Sequence, residues 1–138
     1  MRVELMSWEQ ARPHAAPIRF TVFVEEQRVP ADIELDEHDA SCVHAVAFDG
    51  ERAVGTGRLL PDGHIGRMAV LKEARNRGVG ALMLGKLMDR AKELGFAEVA
   101  LSAQIHASRF YRRHGFAEEG PEYMEAGIRH QAMRKALR

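Results

Sequence analysis

Arg75-Asn76-Arg77-Gly78-Val79-Gly80 is the stretch that decides how this chain reads. It follows an apolar, strand-like run from His64 to Leu71. After it, Val79, Leu82, Met83, Leu87, Ala91 and Leu94 recur at helical spacing until Gly95 stops the pattern. Two glycines one residue apart let the backbone take unusual dihedrals and approach a ligand closely. The first turn of the following helix leaves about four N–H groups unpaired, at the positive end of the helix dipole. Arg75 and Arg77 add charge and forked donors, so the natural occupant is a pyrophosphate. A glycine-rich turn that only starts a helix is the plainer alternative, and the two arginines and the preceding strand argue against it. The overlapping run Gly80-Ala81-Leu82-Met83-Leu84-Gly85-Lys86-Leu87 imitates a nucleotide-binding P-loop. Leu87 stands where a hydroxyl would hold magnesium, and the run lies inside the helical periodicity, so a P-loop is excluded.

Working outward, Arg2 to Ser7 alternates as a first strand, and Pro13 and Pro17 sit where a helix can start. Ile18, Phe20, Val22, Phe23 and Val24 give that helix an apolar side, and it ends near Gln27. Val43 to Asp49, Ala53 to Leu60 and His64 to Leu71 read as three antiparallel strands, joined at Asp49-Gly50 and Pro61-Asp62-Gly63. The helix from Gly78 to Leu94 crosses to a strand at Glu98 to Ser102. A helix from about Ala107 to His114 and strands at Phe116–Glu125 and Ile128–Ala136 complete the order. This is an α/β chain with a mixed central sheet flanked by helices, and the crossover makes the His64 and Glu98 strands parallel neighbours.

With 138 residues and no repeat or linker, residues 1–138 form one domain. No apolar stretch approaches the roughly 20 residues of a membrane span. Glu4, Glu9 and Arg12 interrupt any signal-peptide core, so a cytoplasmic location is expected. Cys42 is the only cysteine, which excludes an internal disulfide or a cysteine zinc cluster. Zero net charge gives no general pull toward nucleic acid or a membrane. The charge is nevertheless segregated. Glu25, Glu26, Asp32, Glu34, Asp36, Glu37 and Asp39 face only Arg28, whereas Lys72 to Lys92 carries six bases and two acids. The acidic loop is expected to attract a cation at the substrate mouth. Its Glu34, Asp36, His38 and Asp39 do not match the ordered spacing of a hard-cation loop, so no metal is expected.

The cradle and the element order together resemble the GNAT superfamily of N-acetyltransferases. That family's Arg/Gln-x-x-Gly-x-Gly/Ala motif matches Arg75, Gly78 and Gly80. Its Asn-x-x-Ala-x-x-Phe-Tyr-x-x-x-Gly-Phe motif matches Ala107, Phe110, Tyr111, Gly115 and Phe116, with Gln104 in place of the asparagine. Phe23 to Pro30, the Glu34-Leu35-Asp36 loop and His44 are similar to the ElaA-like and YjcF-like bacterial branch. The resemblance implies acetyl-CoA as co-substrate, an amine acceptor and a V-shaped opening between the two parallel strands. Pantetheine would bond to backbone at Met68, Ala69 and Val70, and pyrophosphate would rest in Arg75, Asn76, Arg77, Gly78, Val79 and Gly80. Gln104 and Phe110 would complete the cofactor site, and Arg109, Arg112 or Arg113 would meet the 3′-phosphate. The family often forms homodimers.

Acetyl transfer needs a polarised carbonyl, a protonated leaving thiolate and a neutral amine. An N–H near Val70 would polarise the carbonyl. Tyr111 is the candidate acid, since a phenol with pKa about 10 can reprotonate a thiolate whose conjugate acid lies near 8.5. The bland alternative for Tyr111 is aromatic packing. The strand before the cradle carries no carboxylate base, which leaves Glu26, His44 and His130, with Gln27, as acceptor-side candidates. Two rivals stand beside acetyl transfer: use of another acyl-CoA, and a CoA-binding regulatory or partner-binding module without turnover.

Overall fold

In the computed structural model, which describes residues 1–31 and 35–138, the first helix begins at Ser7 rather than at a proline. After strand β1 (Arg2–Met6), the Ser7 hydroxyl accepts from the Gln10 amide while the Gln10 side chain accepts from the Ser7 amide, a reciprocal cap. Helix α1 (Trp8–Arg19) therefore holds Pro13 and Pro17 in its interior. Each proline lacks the N–H that would bond one turn back. Beyond them the coil widens into a π-helical segment, Phe20–Glu26, where the Gln27 amide donates to the Val22 carbonyl at 3.1 Å.

A 3₁₀ turn, Glu37–Ser41, leads into the hairpin strands β2 (Val43–Asp49) and β3 (Arg52–Leu59), then β4 (His64–Val70). Helix α2 (Val79–Glu93) follows, then β5 (Glu98–Gln104), the short helix α3 (Ser108–Arg113), and β6 (Ala117–Glu125) and β7 (Ile128–Ala136). The seven strands make one mixed sheet in the order β1-β2-β3-β4-β5-β7-β6, in which only β4 and β5 run parallel. β5 extends past Ser102 because Ala103 and Gln104 pair with Gln131 and His130 of β7.

Alternation along the strands divides the core. Ala11 and Ala15 of α1 pack on Val46 and Phe48, and Ile18, Val22 and Phe23 cover Ala69. On the other face Val79, Met83, Leu84 and Leu87 of α2 meet Ala45, Leu59, Ile65, Val99 and Leu101. Leu84 and Leu87 are fully buried. Such burial contributes about 1.5–3 kcal/mol per side chain, so α2 and its N-terminus are fixed by packing alone. Among the described residues no helix is long and apolar enough to cross a membrane.

Candidate active site

The parallel pairing of β4 with β5 is short. His64 faces Ala100 and Ile65 faces Leu101, and the strands then part. A bulge on β4 accompanies the divergence: Thr56 pairs with Ala69 but Arg58 pairs with Gly66, so three β4 steps oppose two on β3. Arg67 lies in this bulge with φ of 49°, a left-handed conformation that few non-glycine residues take. The result is the expected V-shaped opening, walled by the ends of β4 and β5. The Leu71 amide donates to the Val54 carbonyl at 2.9 Å. Backbone groups alternate sides along a strand, so the Val70 N–H faces the other edge, the one β5 has left.

Arg75 occupies that edge. Its Nε donates to the Val70 carbonyl at 2.9 Å, and its two terminal nitrogens donate to the Glu26 carboxylate at 3.0 and 2.7 Å. The Val70 carbonyl is thus satisfied, and its N–H is left as the donor of this edge. Gln27, next to Glu26, exchanges amide hydrogen bonds of 3.2 and 2.7 Å with Gln104 at the tip of β5. Consecutive residues at the end of the π-helical segment therefore tie down both walls of the opening. Sequence reasoning named all four residues but not their pairing.

At the start of α2 the two glycines do different things. Gly78 has φ of 77°, provides no side-chain cap, and would have nothing within 4 Å of an added Cβ. The first amides of the helix therefore face open space beside it. Gly80 lies against the Phe110 ring, which an added Cβ would meet at an ordinary contact distance of 3.4 Å. Asn76, with φ of 64°, turns the chain into the cradle. The charge expected from the arginines is partly engaged: Arg75 by Glu26, and the exposed Arg77 by Asp49 at 3.1 Å. The backbone amides are the main feature of the cradle.

Helix α3 lies against the same end of α2. The Tyr111 ring meets Phe110 and Phe116 edge-on, at 5.1 and 5.9 Å between centroids. Burial pushes its phenol up to about 12. Among the described residues nothing hydrogen-bonds its hydroxyl. Arg112 pairs with Glu118, whereas Arg109 and Arg113 make no ion pair among the described residues.

The acidic loop is not a free anionic mouth. Asp39, 1% exposed, takes both terminal nitrogens of Arg19 at 2.8 and 3.2 Å and Arg58 at 2.9 Å. Asp36 takes Arg58 at 2.7 and 2.9 Å and Arg67 at 3.3 Å. Hydrogen bonds from Arg58 lower the Asp36 carboxyl to about 2. Burial pushes Asp39 up, but the Arg19 and Arg58 bonds outweigh it and hold that carboxyl below its ordinary range. With Glu26 on Arg75 as well, three of the seven carboxylates counted in the sequence are neutralised by distant arginines. Asp32 and Glu34 lie outside the described residues. The expectation of a solvated, cation-attracting loop is corrected for Asp36 and Asp39, whose carboxylates are taken by Arg19, Arg58 and Arg67. Arg58, a charged residue on an otherwise apolar strand, is the sequence signal for this buried network.

His44 belongs to the same network. It is 1% exposed on β2, its Nε2 donates to the Asp39 carbonyl at 2.8 Å, and its ring lies 4.8 Å from Trp8. Burial lowers its pKa. It stands two strands from β4 and is not brought to the opening. His130, by contrast, sits opposite Gln104 at the open end of β5.

This geometry agrees with comparison to known proteins. Residues 9–137 match the family model described as an acetyltransferase (GNAT) domain. The chain is 37% identical over 139 residues to the uncharacterized N-acetyltransferase YjcF of Bacillus subtilis, covering 98% of this chain and 99% of that one. It superimposes with a TM-score of 0.87 and 28% identity on an acyl-CoA N-acyltransferase from Pseudomonas aeruginosa, over 99% of this chain and all of the other. The fold of Escherichia coli ElaA is also similar, with a TM-score of 0.88 at 24% identity over 98% of this chain and 99% of that one. A parted pair of parallel strands, an uncapped helix N-terminus beside them and a full-length family match lead to one conclusion: this chain belongs to the GNAT acetyltransferase family.

Proposed function

We propose that this acetyltransferase moves the acetyl group of acetyl-CoA to a primary amine, on a small molecule or a peptide α-amine, by direct attack on the thioester. The observation that supports this reading most is the divergence of β4 from β5 with the Val70 N–H turned into the gap. Pantetheine lying along Met68, Ala69 and Val70 would complete the broken sheet edge, and the thioester oxygen would accept from the Val70 N–H. Pyrophosphate would sit on the amides from Arg77 to Gly80, and Arg109 or Arg113 would meet the 3′-phosphate. The amine nitrogen bonds to the thioester carbon and loses a proton, the carbon–sulfur bond breaks, and the departing sulfur takes a hydrogen from Tyr111. A phenol at about 12 stays protonated at every physiological pH. Full transfer from it to a thiolate near 8.5 is uphill, so it acts first as a hydrogen-bond donor to the developing charge.

Acetyl-CoA should raise the melting temperature, because a ligand of the folded state stabilises it by mass action. Gly78→Asp should abolish that shift through charge repulsion and strain at φ of 77°. A full shift retained by a folded Gly78→Asp protein would remove the cradle from this account.

A further inference from the structure

Transfer to an amine requires a group that takes the amine's proton. Glu26 has both carboxylate oxygens on Arg75, and His44 is committed to the Asp39 carbonyl beneath α1. His130 is differently placed. Leu101 and Ala103 of β5 belong to the core under α2. Alternation therefore puts Ser102 and Gln104, with Ala132 and His130 opposite them, on the face away from α2 and its cradle. Tyr123 of β6 pairs with His130 on the same face. Helix α1 packs over β2, β3 and β4. Among the described residues α1 does not reach the face of β5, β7 and β6, where Ser102 is exposed, Tyr123 is 40% exposed and His130 is buried at 7% exposed. Ser102 is the first β5 residue beyond the last pair with β4, at the apex of the opening, and its hydroxyl bonds the Tyr123 hydroxyl.

The His130 ring is held on two sides. Its Nδ1 lies 2.7 Å from the Ile128 carbonyl, which can only accept, so Nδ1 carries the hydrogen and the neutral ring presents its lone pair at Nε2. Tyr123 stacks on the ring at 6.0 Å and 23°. Among the described residues Nε2 makes no hydrogen bond, and the Glu125 carboxylate lies 3.5 Å from it. That separation leaves the lone pair uncommitted while placing a negative charge beside any imidazolium that forms. The groups that face the ring from neighbouring strands are Tyr123 and Glu125 of β6 and the uncharged Gln104 of β5, while Arg129 is paired with Glu122.

We propose that the acceptor amine lies on the face made by Ser102 and Tyr123, over the buried His130, and that His130 takes its proton at Nε2 with Glu125 stabilising the imidazolium. This rests on the acetyl-transfer reading above. As the nitrogen–carbon bond forms, the amine proton passes to Nε2. The carbon–sulfur bond breaks, the sulfur leaves with the Tyr111 hydrogen, and solvent returns a proton from His130 to the phenolate. The two substrates meet across the sheet, with CoA arriving from the α2 side and the amine from the other.

The test uses the full chain with acetyl-CoA and three acceptors, 2-phenylethylamine, spermidine and an alanine-terminated tripeptide, and carries the fastest forward. His130→Gln should lose about 10²–10³-fold in kcat/KM at pH 7. The deficit should shrink at least tenfold by about pH 9.5, where the amine increasingly loses its own proton. Its thermal shift with acetyl-CoA should match that of the wild type. Glu125→Gln should lower kcat/KM at pH 7 at least about fivefold and leave the thermal shift with acetyl-CoA unchanged, since the imidazolium loses the carboxylate beside it. Turnover by His130→Gln within about threefold of an active wild type at pH 7, or a deficit equal at every pH, overturns the assignment and leaves acetyl transfer standing. Should His130→Gln fail to fold, a kcat/KM of Glu125→Gln equal to that of the wild type at pH 7 overturns it instead. A wild type that acetylates none of the three acceptors while binding acetyl-CoA removes the acetyl-transfer reading, and this assignment with it.

Discussion

At the scale of single residues, Tyr111 carries the clearest expectation. Its ring is fixed by Phe110 and Phe116, its hydroxyl has no partner among the described residues, and burial pushes it up to about 12. Tyr111→Phe removes one oxygen and leaves that packing. It should lower kcat by about 10²–10⁴-fold and leave acetyl-CoA affinity nearly intact. Because the phenol keeps its proton to about 12, the wild-type kcat profile should show no alkaline loss from this group below about pH 11. Steady-state rates at saturating substrate between pH 7 and 10 check both points, and a variant within a few-fold of wild type would assign the leaving-group role elsewhere. A short motif singles out Tyr111 in the sequence. The partners of Arg75 and Gln104 were not legible there, since Glu26 and Gln27 reach them from 49 and 77 residues away.

At the scale of elements, legibility followed the strength of local signals. Helix α2 was read to within a residue at each end, because its apolar stripe, its glycine start and Gly95 agree. The start of α1 was missed because two prolines drew the boundary inward, while the deciding signal was Ser7 with Gln10 three residues on. The bulge at Arg67 had no local signature at all. It is set by pairing across β3 and by the Arg58–Asp36–Arg67 cluster that holds the acidic loop over the sheet. That loop yields a prediction in acid. The folded pKa of Asp36 is lowered from 3.8 to about 2, so its contribution to stability is fully present above about pH 4 and is lost as pH falls through 2. Discounted for solvent screening around this partly exposed carboxylate, the shift corresponds to about 1 kcal/mol. Urea unfolding between pH 2 and 5 should show a decline of that order in the wild type beyond the decline in Asp36→Asn. Equal slopes in the two proteins would mean that Arg58 does not hold this carboxylate as described.

At the scale of the whole molecule, the sheet parts between β4 and β5, with the start of α2 on one face and the polar residues Ser102, Tyr123 and His130 on the other. The proposed cradle and acceptor floor use these two faces. The element order was legible from sequence because it depends on neighbouring residues, as does the glycine-rich start of α2. The floor was not, because Ser102, Tyr123 and His130 come together only through strand pairing. Bound CoA alone would satisfy the cradle, so binding does not separate an enzyme from a module that senses the cofactor. Product formation does. With acetyl-CoA labelled on the acetyl group and a library of primary amines, the wild-type chain should release CoA thiol and labelled amide in equal amounts, and Tyr111→Phe should suppress both together. Acetyl-CoA that stabilises the protein yet yields no labelled amide with any amine in the library would contradict the account, and would identify the chain as a CoA-binding module without turnover.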